Sequence, residues 1–508
     1  MGSFAKPIRA AILAAALTVA AASSGADKPP PFDPNFPKAL SPVLPGDVDT
    51  VLQKELDAAK EFDATQRLFD LLSWQSFLAL NWPTDKAGIP AKSIADRAFG
   101  PPAWNRLTES QAIFRADGKE PRACAPKLAQ AAAAQPRELA IVPVRGQAAL
   151  PEEAGNSELL VLGNVTAVGE LSPLALDRLD DTTQAFSGPL VDQNHNFVFY
   201  QIFLDPNEVG YICQNKLYNL NGQAAFSQAG NTVKFPQGDF HTPSSGAIEL
   251  KLAWKILEPG KGDLPERFLT MQAFVPDATT ATHWRKVTVG LVGMHIAHKT
   301  ASSPQWIWST FEQVDNLQGG GLAHPKIKAS FFNPATPTAL VNTQPDTKIQ
   351  PLPPTQVLRA IPIPPDKEAL NHQVQQILAA QHSVLQYYQL IDTQWPTDPG
   401  AYPTPPGDAN LPDAIANKSG GRPTPVYLTN MTMETYFQQG NQPAYQQEEN
   451  APQTAAMAFG TESCMGCHSS AGVATSVSIV SGKPKATFGG QLTGDFSWLL
   501  KQKATFGP

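Results

Sequence analysis

Along this chain the apolar residues repeat with two different periods, and the change of period divides it. From residue 47 to 80 they fall three and four apart, most clearly through Leu68, Phe69, Leu71, Leu72, Trp74, Phe77 and Leu78. That spacing predicts a helix, stopped by Asn81-Trp82-Pro83. Residues 101–190 are mixed. Between 189 and 308 the texture becomes short β-branched and aromatic runs at 197–203, 246–254 and 287–296. These predict strands of a largely antiparallel sheet or sandwich. A second helical stretch covers 366–391, where Leu370, Val374, Ile377, Leu378, Val384, Leu385, Tyr388 and Ile391 recur at helical spacing, with Asp366 suited to the dipole at its start. Proline-rich connections occupy 29–45, 330–365 and 396–425.

The expected fold is therefore α+β: a helical N-terminal part, a β-rich middle, and a short, mostly helical C-terminal segment. Four divisions follow, at 1–26, 27–330, 331–425 and 426–508. A length of 508 residues suits two or three domains. Its 42% hydrophobic and 16% charged content is that of a folded globular protein, so the 48 prolines are read as fixed loops.

The first 26 residues read as an export signal. Lys6 and Arg9 precede an apolar run from Ala10 to Ala22, and Ser24-Gly25-Ala26 offers small residues for cleavage. The run is too short for a permanent transmembrane helix, and no later stretch reaches the roughly 20 apolar residues needed. The periplasm is the expected location. Losing Lys6 and Arg9 takes the formal charge from −7 to −9. An acidic surface gives no support for nucleic-acid binding and would tolerate a basic redox partner. In an oxidising compartment Cys124 and Cys213, 89 residues apart, are expected to pair, which would stabilise the fold by about 4 kcal/mol.

The chemistry sits near the C-terminus. Cys464-Met465-Gly466-Cys467-His468 has the C-x-x-C-H pattern of covalent haem attachment. In that pattern two thiols form thioethers with the haem vinyl groups, the adjacent histidine becomes the proximal iron ligand, and Gly466 would permit the tight turn between the sulfurs. Competing readings are a redox dithiol, which usually follows a strand in a βαβ unit; a zinc site, for which Cys124 and Cys213 are remote in sequence; and a strained local disulfide. The histidine and the export signal together favour one covalent haem c. No G-x-S-x-G elbow, Walker loop, H-E-x-x-H or dinucleotide fingerprint is present.

On this motif the C-terminal part resembles the c-type cytochromes. The segments 428–436, 306–316 and 495–499 look like those of large, poorly characterised bacterial periplasmic members of that group. The resemblance implies a periplasmic haem protein with a redox partner protein, and no defined substrate. Small cytochromes carry a methionine well after the motif; here 40 residues follow His468, without methionine or histidine. A sixth ligand must come from upstream, or from a lysine such as Lys501, or be absent. Met431, Met433 and Met457 are the nearest methionines, and Met433 is the tentative distal ligand. His295 and His298 are further candidates, although on a strand residues three apart point to opposite faces. Trp306, Trp308 and Phe311 beside Glu312 and Asp315 suggest a pocket or core packing, and Glu434 an acid/base group or a solvated carboxylate.

The principal expectation is an electron-transferring monohaem cytochrome. The alternatives are a haem c-dependent oxidoreductase with an open distal site, and a redox subunit docked to a periplasmic dehydrogenase.

Overall fold

The N-terminal helical pattern resolves into two helices. Helix α1 (Thr50–Ala59) starts at Asp49, whose carboxylate accepts from the Val51 and Leu52 N–H groups, and it ends at Lys60 in a left-handed conformation. Helix α2 (Phe62–Leu80) follows and stops where the Asn81 side chain donates back to the Phe77 carbonyl at 2.8 Å. This computed structural model describes residues 32–125, 159–162, 184, 187–276, 283–317, 327–336, 341–349, 351–395, 428–438, 463–490 and 492–508. The expected signal peptide and Met457 lie outside the described residues.

The architecture is mixed α+β. One sheet contains β1 (Thr108–Glu109), β2 (Leu159–Val161), β3 (Phe199–Leu204), β4 (Ile248–Ile256), β5 (Thr270–Pro276), β6 (Trp284–His298), β7 (Ile307–Gln313) and β8 (Tyr388–Gln394). Its main path runs β1-β3-β4-β6-β5-β2, and β7 and β8 continue from the C-terminal half of β6. The 15-residue β6 is the spine: β4 lies along one edge, while β5 and then β7 share the other. All pairings are antiparallel except β2–β5.

Register assigns the two faces. Residues directly opposite share a face, so Phe203, Leu250, Leu252, Met294, Ile296 and Phe311 point to one side. Helix α2 and helix α6 (Pro365–Ala380; α3, α4 and α5 are Ser110–Ile113, Pro206–Gln214 and Leu220–Gln228) supply Trp74, Phe77, Leu370, Val374 and Leu378 to the same apolar core. Phe77 stacks on Phe311 at 4.3 Å between ring centres. Buried Lys367 on α6 bridges to Asp70 of α2 at 2.9 Å, closing this layer.

Helix α6 ends well short of the expected 391. His382 turns left-handed, and Tyr388–Gln394 continues as β8, buried throughout its length. A strand buried on both faces shows an apolar run that periodicity does not separate from a buried helix.

The opposite face of the sheet carries Ile202, Leu204, Glu249, Lys251, His295, Ala297 and Trp308. The C-terminal segment lies over it. That segment, expected to be mostly helical, contains α7 (Cys464–His468), a hairpin of β9 (Ala474–Val480) and β10 (Lys483–Phe488), and α8 (Leu499–Gln502). Its Met465, Val473, Phe496, Leu499 and Leu500 join a second core with α4 and α5. A disulfide links Cys124 to Cys213 at the end of α4. Among the described residues no helix is long and apolar enough to cross a membrane.

Closing a loop of 89 residues restricts the unfolded chain. Replacing both Cys124 and Cys213 by serine is therefore expected to lower unfolding stability by about 4 kcal/mol, read from denaturant curves of the two proteins, with a steeper slope for the variant as its unfolded chain expands.

Candidate functional site

The motif is a single helical turn. Ser463 caps it, its hydroxyl accepting from the Gly466 N–H at 3.1 Å, while Gln394 at the end of β8 accepts from the Met465 N–H at 2.8 Å. Met465 points into the second core. Cys464, Cys467 and His468, at helical spacings of three and four, turn instead towards one cavity. Gly466, expected to permit a turn, is an ordinary helical residue whose amide the cap requires.

The cavity spans about 950 Å³ of empty space, counting the part open to solvent. Ile202, Glu249, Lys251, His295, Ala297 and Trp308 from one face of the sheet form its floor. Leu428, Thr429, Glu434 and Phe437 form one wall, and Trp498, Leu499 and Gln502 another.

His468 is positioned by a chain of contacts. Its Nδ1 lies 2.7 Å from the Phe496 carbonyl. A carbonyl only accepts, so Nδ1 carries the proton and Nε2 keeps its lone pair. The Trp308 ring packs 4.4 Å from the imidazole. Burial pushes the His468 pKa down to about 4, which keeps the ring neutral at pH 7. The Phe496 carbonyl is itself held by an unusual turn: Asp495 and Phe496 are both left-handed, at φ 48° and 69°. The Asp495 carboxylate anchors that turn, accepting from Lys299 Nζ at 2.6 and 2.7 Å and from the Phe235 N–H at 2.7 Å. Trp306 Nε1 donates to the Asp495 carbonyl at 3.0 Å, and Ser497 donates to Glu249 Oε2 at 2.9 Å.

The thiols are protonated at neutral pH. Burial, with the Glu434 charge adding to it, raises Cys464 well above the usual thiol value and Cys467 to about 11. Reactive dithiols need the opposite shift. Both cysteines are free, and Cys124 and Cys213, the other two in the chain, are bonded to each other. Among the described residues no three His, Cys, Asp or Glu side chains gather as a metal-binding group, so a tetrahedral zinc site is not formed there. Two thiols and a neutral imidazole with an oriented lone pair, lining one cavity, fit a covalently held haem, which asks the protein for one or two axial ligands.

Glu434 comes to the cavity on a tightly held segment, 428–438. Asn430 donates to Thr310 Oγ1 and to the Phe311 carbonyl, both at 2.9 Å. Glu312, paired with Arg359, accepts from the Met431 N–H at 2.8 Å, and Tyr200 donates to the Thr432 carbonyl at 2.6 Å. Gly293 makes room: a Cβ there would lie 2.2 Å from Thr432 Oγ1. The Glu434 carboxylate bonds His295 Nε2 at 2.9 Å and accepts from the Asn430 N–H at 2.9 Å. Burial alone would raise its pKa; the imidazole beside it, the Lys251 charge and the Asn430 amide together outweigh that and bring it below the ordinary value.

Other sequence candidates are placed elsewhere. Met433, the tentative distal ligand, does not line the cavity; with Met431 it packs in a third core against Tyr200, Val292 and Phe331. Both side chains pack on the cavity's face of the sheet, beside the cavity and outside its lining. His295 lines the cavity, whereas His298 lies in its strand's other row and bonds the Ser245 carbonyl. Lys501 sits on the Trp498 and Phe488 rings, outside the cavity lining. Of the aromatic group, Trp308 reaches the site; Trp306 and Phe311 are core, and Asp315 forms a bidentate pair with Arg267 at 2.6 and 2.7 Å. Glu249 and Lys251 were not singled out in the sequence. Their signal was the alternation Ile248-Glu249-Leu250-Lys251-Leu252, which reads equally as a solvent face.

No protein-family model matches the chain, and neither a curated protein nor a solved structure matches it.

Removing one partner of the buried Lys299–Asp495 pair strands the other. Asp495→Ala is expected to cost about 3 kcal/mol or more in unfolding stability, and Lys299→Met with Asp495→Leu together clearly less, measured as a double-mutant cycle by urea denaturation. A pH dependence follows from His298, which burial pushes down to about 4. Above pH 6.5 both folded and unfolded states leave it neutral. As pH falls from 6.5 to 4 only the unfolded state takes the proton, so stability is lost progressively, by about 3 kcal/mol at the limit. His298→Gln should remove that share of the acid slope in denaturation curves taken across this window.

Proposed function

We propose that this chain is an exported, periplasmic c-type cytochrome that carries one haem c and transfers electrons. The observation that carries the reading is the convergence of Cys464, Cys467 and a lone-pair-bearing His468 on one cavity, with the imidazole fixed by the Phe496 carbonyl. Bound there, haem supplies an iron that cycles between ferrous and ferric states.

The chain's own residues would act as follows. Cys464 and Cys467 each add across a vinyl group, the sulfur bonding one carbon and its proton going to the neighbouring carbon, so no oxidant is consumed. Their protonated state suits an addition that retains the hydrogen. His468 offers Nε2 to the iron, and the Phe496 carbonyl, by holding Nδ1–H, sets the ring's orientation and raises its basicity as a ligand. Trp308 and Trp498 exclude water from that side. In this reading residues 426–508 form the haem-binding segment, which closes a helical and β-rich body. The sequence signal supports export, and the disulfide suits an oxidising compartment.

A specific observation favours a second reading, a haem-dependent oxidoreductase with an open distal position. Among the described residues no methionine lines the cavity, and the His295 imidazole on its floor and the Glu434 carboxylate on its wall form a bonded pair able to hold and move a proton at His295 Nε2.

The test is expression with a cytochrome maturation system, followed by measurement of haem that stays with the denatured chain. Wild type is expected to retain it, and Cys464→Ala with Cys467→Ala to lose it. Wild type without covalent haem overturns the proposal. Low-spin optical and paramagnetic resonance spectra indifferent to carbon monoxide support electron transfer. A high-spin, carbon monoxide-sensitive spectrum selects the second reading, in which Glu434→Gln lowers turnover with peroxide about a hundredfold.

A further inference from the structure

We infer that the β9–β10 hairpin and helix α8 form a docking face for an acidic redox protein. The inference rests on the cytochrome reading above and gives its partner a chemistry.

The charge on this chain is unevenly spread. Its formal net charge is −7, yet from Ser463 to Pro508 there are four lysines, Lys483, Lys485, Lys501 and Lys503, and one carboxylate, Asp495. Asp495 is buried and bound to Lys299, so it does not offset the exposed Lys483, Lys485 and Lys501. The ground on which the hairpin rests adds no negative charge. Helix α5 holds β9 through Ser227 Oγ to the Ala474 carbonyl at 2.9 Å, and residues 209–238 contain Lys216 and Lys234 with no acid. An acidic protein thus presents a basic face, and the field there opposes that of the whole molecule.

That face adjoins the haem cavity. Lys501 Nζ lies 5.2 Å from the Trp498 ring centre and 5.5 Å from that of Phe488, bridging the cavity wall to the base of β10. Trp498 and Gln502 line the cavity itself.

The hairpin also has two chemically distinct sides. Lys483 pairs with Val480, Lys485 with Ser478 and Thr487 with Ser476, which makes an exposed basic and hydroxyl side. Pro484 pairs with Ile479 and Ala486 with Val477 on the other side. Val477 and Ala486 pack on the second core, but the same apolar row runs past it to Ile479, which is 69% exposed, while Val480, 49% exposed, stands beside Lys483 on the basic side. A two-residue turn with Ser481 and Gly482 both at positive φ fixes the tip without help from a partner. The result is a rigid arm with lysines and exposed apolar side chains at its tip, joined at its base to the cavity wall. An apolar spot ringed by one sign of charge is how transient redox partners find each other quickly and release quickly. A membrane is the weaker fit: the tip has aliphatic residues and no exposed aromatic ring of the kind that anchors at a lipid interface.

The test uses the full haem-loaded chain. After reduction it is mixed in a stopped-flow instrument with an oxidised acidic blue-copper protein, or with a basic one of similar potential. The acidic probe is expected to react about tenfold faster or more at low salt, with the advantage fading between about 0.01 and about 0.15 M ionic strength. Lys483→Glu with Lys485→Glu, both exposed, should abolish the preference, and Ile479→Ser should weaken binding of the acidic probe without changing the salt slope. A faster reaction with the basic probe, as the net charge demands, would sink the inference, as would equal rates or binding to phosphatidylglycerol vesicles in place of the acidic probe. Titration of the acidic probe against the chain by calorimetry reads docking without electron transfer. A chain that holds no covalent haem but still binds the probe in a lysine-dependent way therefore overturns the cytochrome reading and leaves the docking face standing.

Discussion

The candidate site depends on one buried ion pair. Lys299, at the end of the central strand, and Asp495, deep in the C-terminal segment, neutralise each other where neither charge would be tolerated alone. The pair joins residues 196 positions apart and holds two successive left-handed residues in place. Such a backbone is costly without outside support, and here the support comes from Lys299, the Phe235 amide and the Trp306 indole acting together. What that strain achieves is the direction of a single carbonyl, that of Phe496, and through it the tautomer and aim of His468. The motif alone supplies a histidine; the ion pair determines which nitrogen is free.

The sheet divides its work by parity. One row of each strand builds an apolar core under α2 and α6, and the alternate row carries Glu249, Lys251 and His295 into a half-enclosed cavity whose lining is otherwise mostly apolar. Because the period is two, a slip of one residue in the β4–β6 register would exchange the rows and destroy both. The segment bearing Glu434 is tied down in the same spirit, by Asn430, Glu312 and Tyr200, and its close approach at Gly293 leaves no room for a methyl group. Rigid support on both sides is what a redox or proton-handling site needs, since its groups must not rearrange as charge changes.

The sequence showed part of this. The motif was legible because its five residues act through covalent spacing, and α2 and the three strand runs because local period and burial agree. The helix expected over 366–391 stopped at Ala380 because β8, buried on both faces, wears the same apolar pattern as a helix. Met433 packs with Tyr200 and Val292 beside the cavity and outside its lining, because nearness in sequence to the motif does not fix which side chains of a segment reach the cavity. Glu312 and Asp315 looked like candidates for a pocket until their arginines, 47 and 48 residues away, were seen beside them. The cavity floor comes from four strands whose juxtaposition no local pattern encodes.

The order of the parts along the chain carries its own lesson about damage. Everything that identifies the motif is complete at His468, yet the carbonyl that aims its imidazole, the carboxylate that holds that carbonyl and the tryptophan that closes the wall all come later, at 496, 495 and 498. A chain broken by a frameshift or a protease anywhere in the hairpin would still display all five signature residues. It would nonetheless present an untethered histidine in a cavity with one side missing, so an inventory of signature residues would rate as intact a protein that had lost its site.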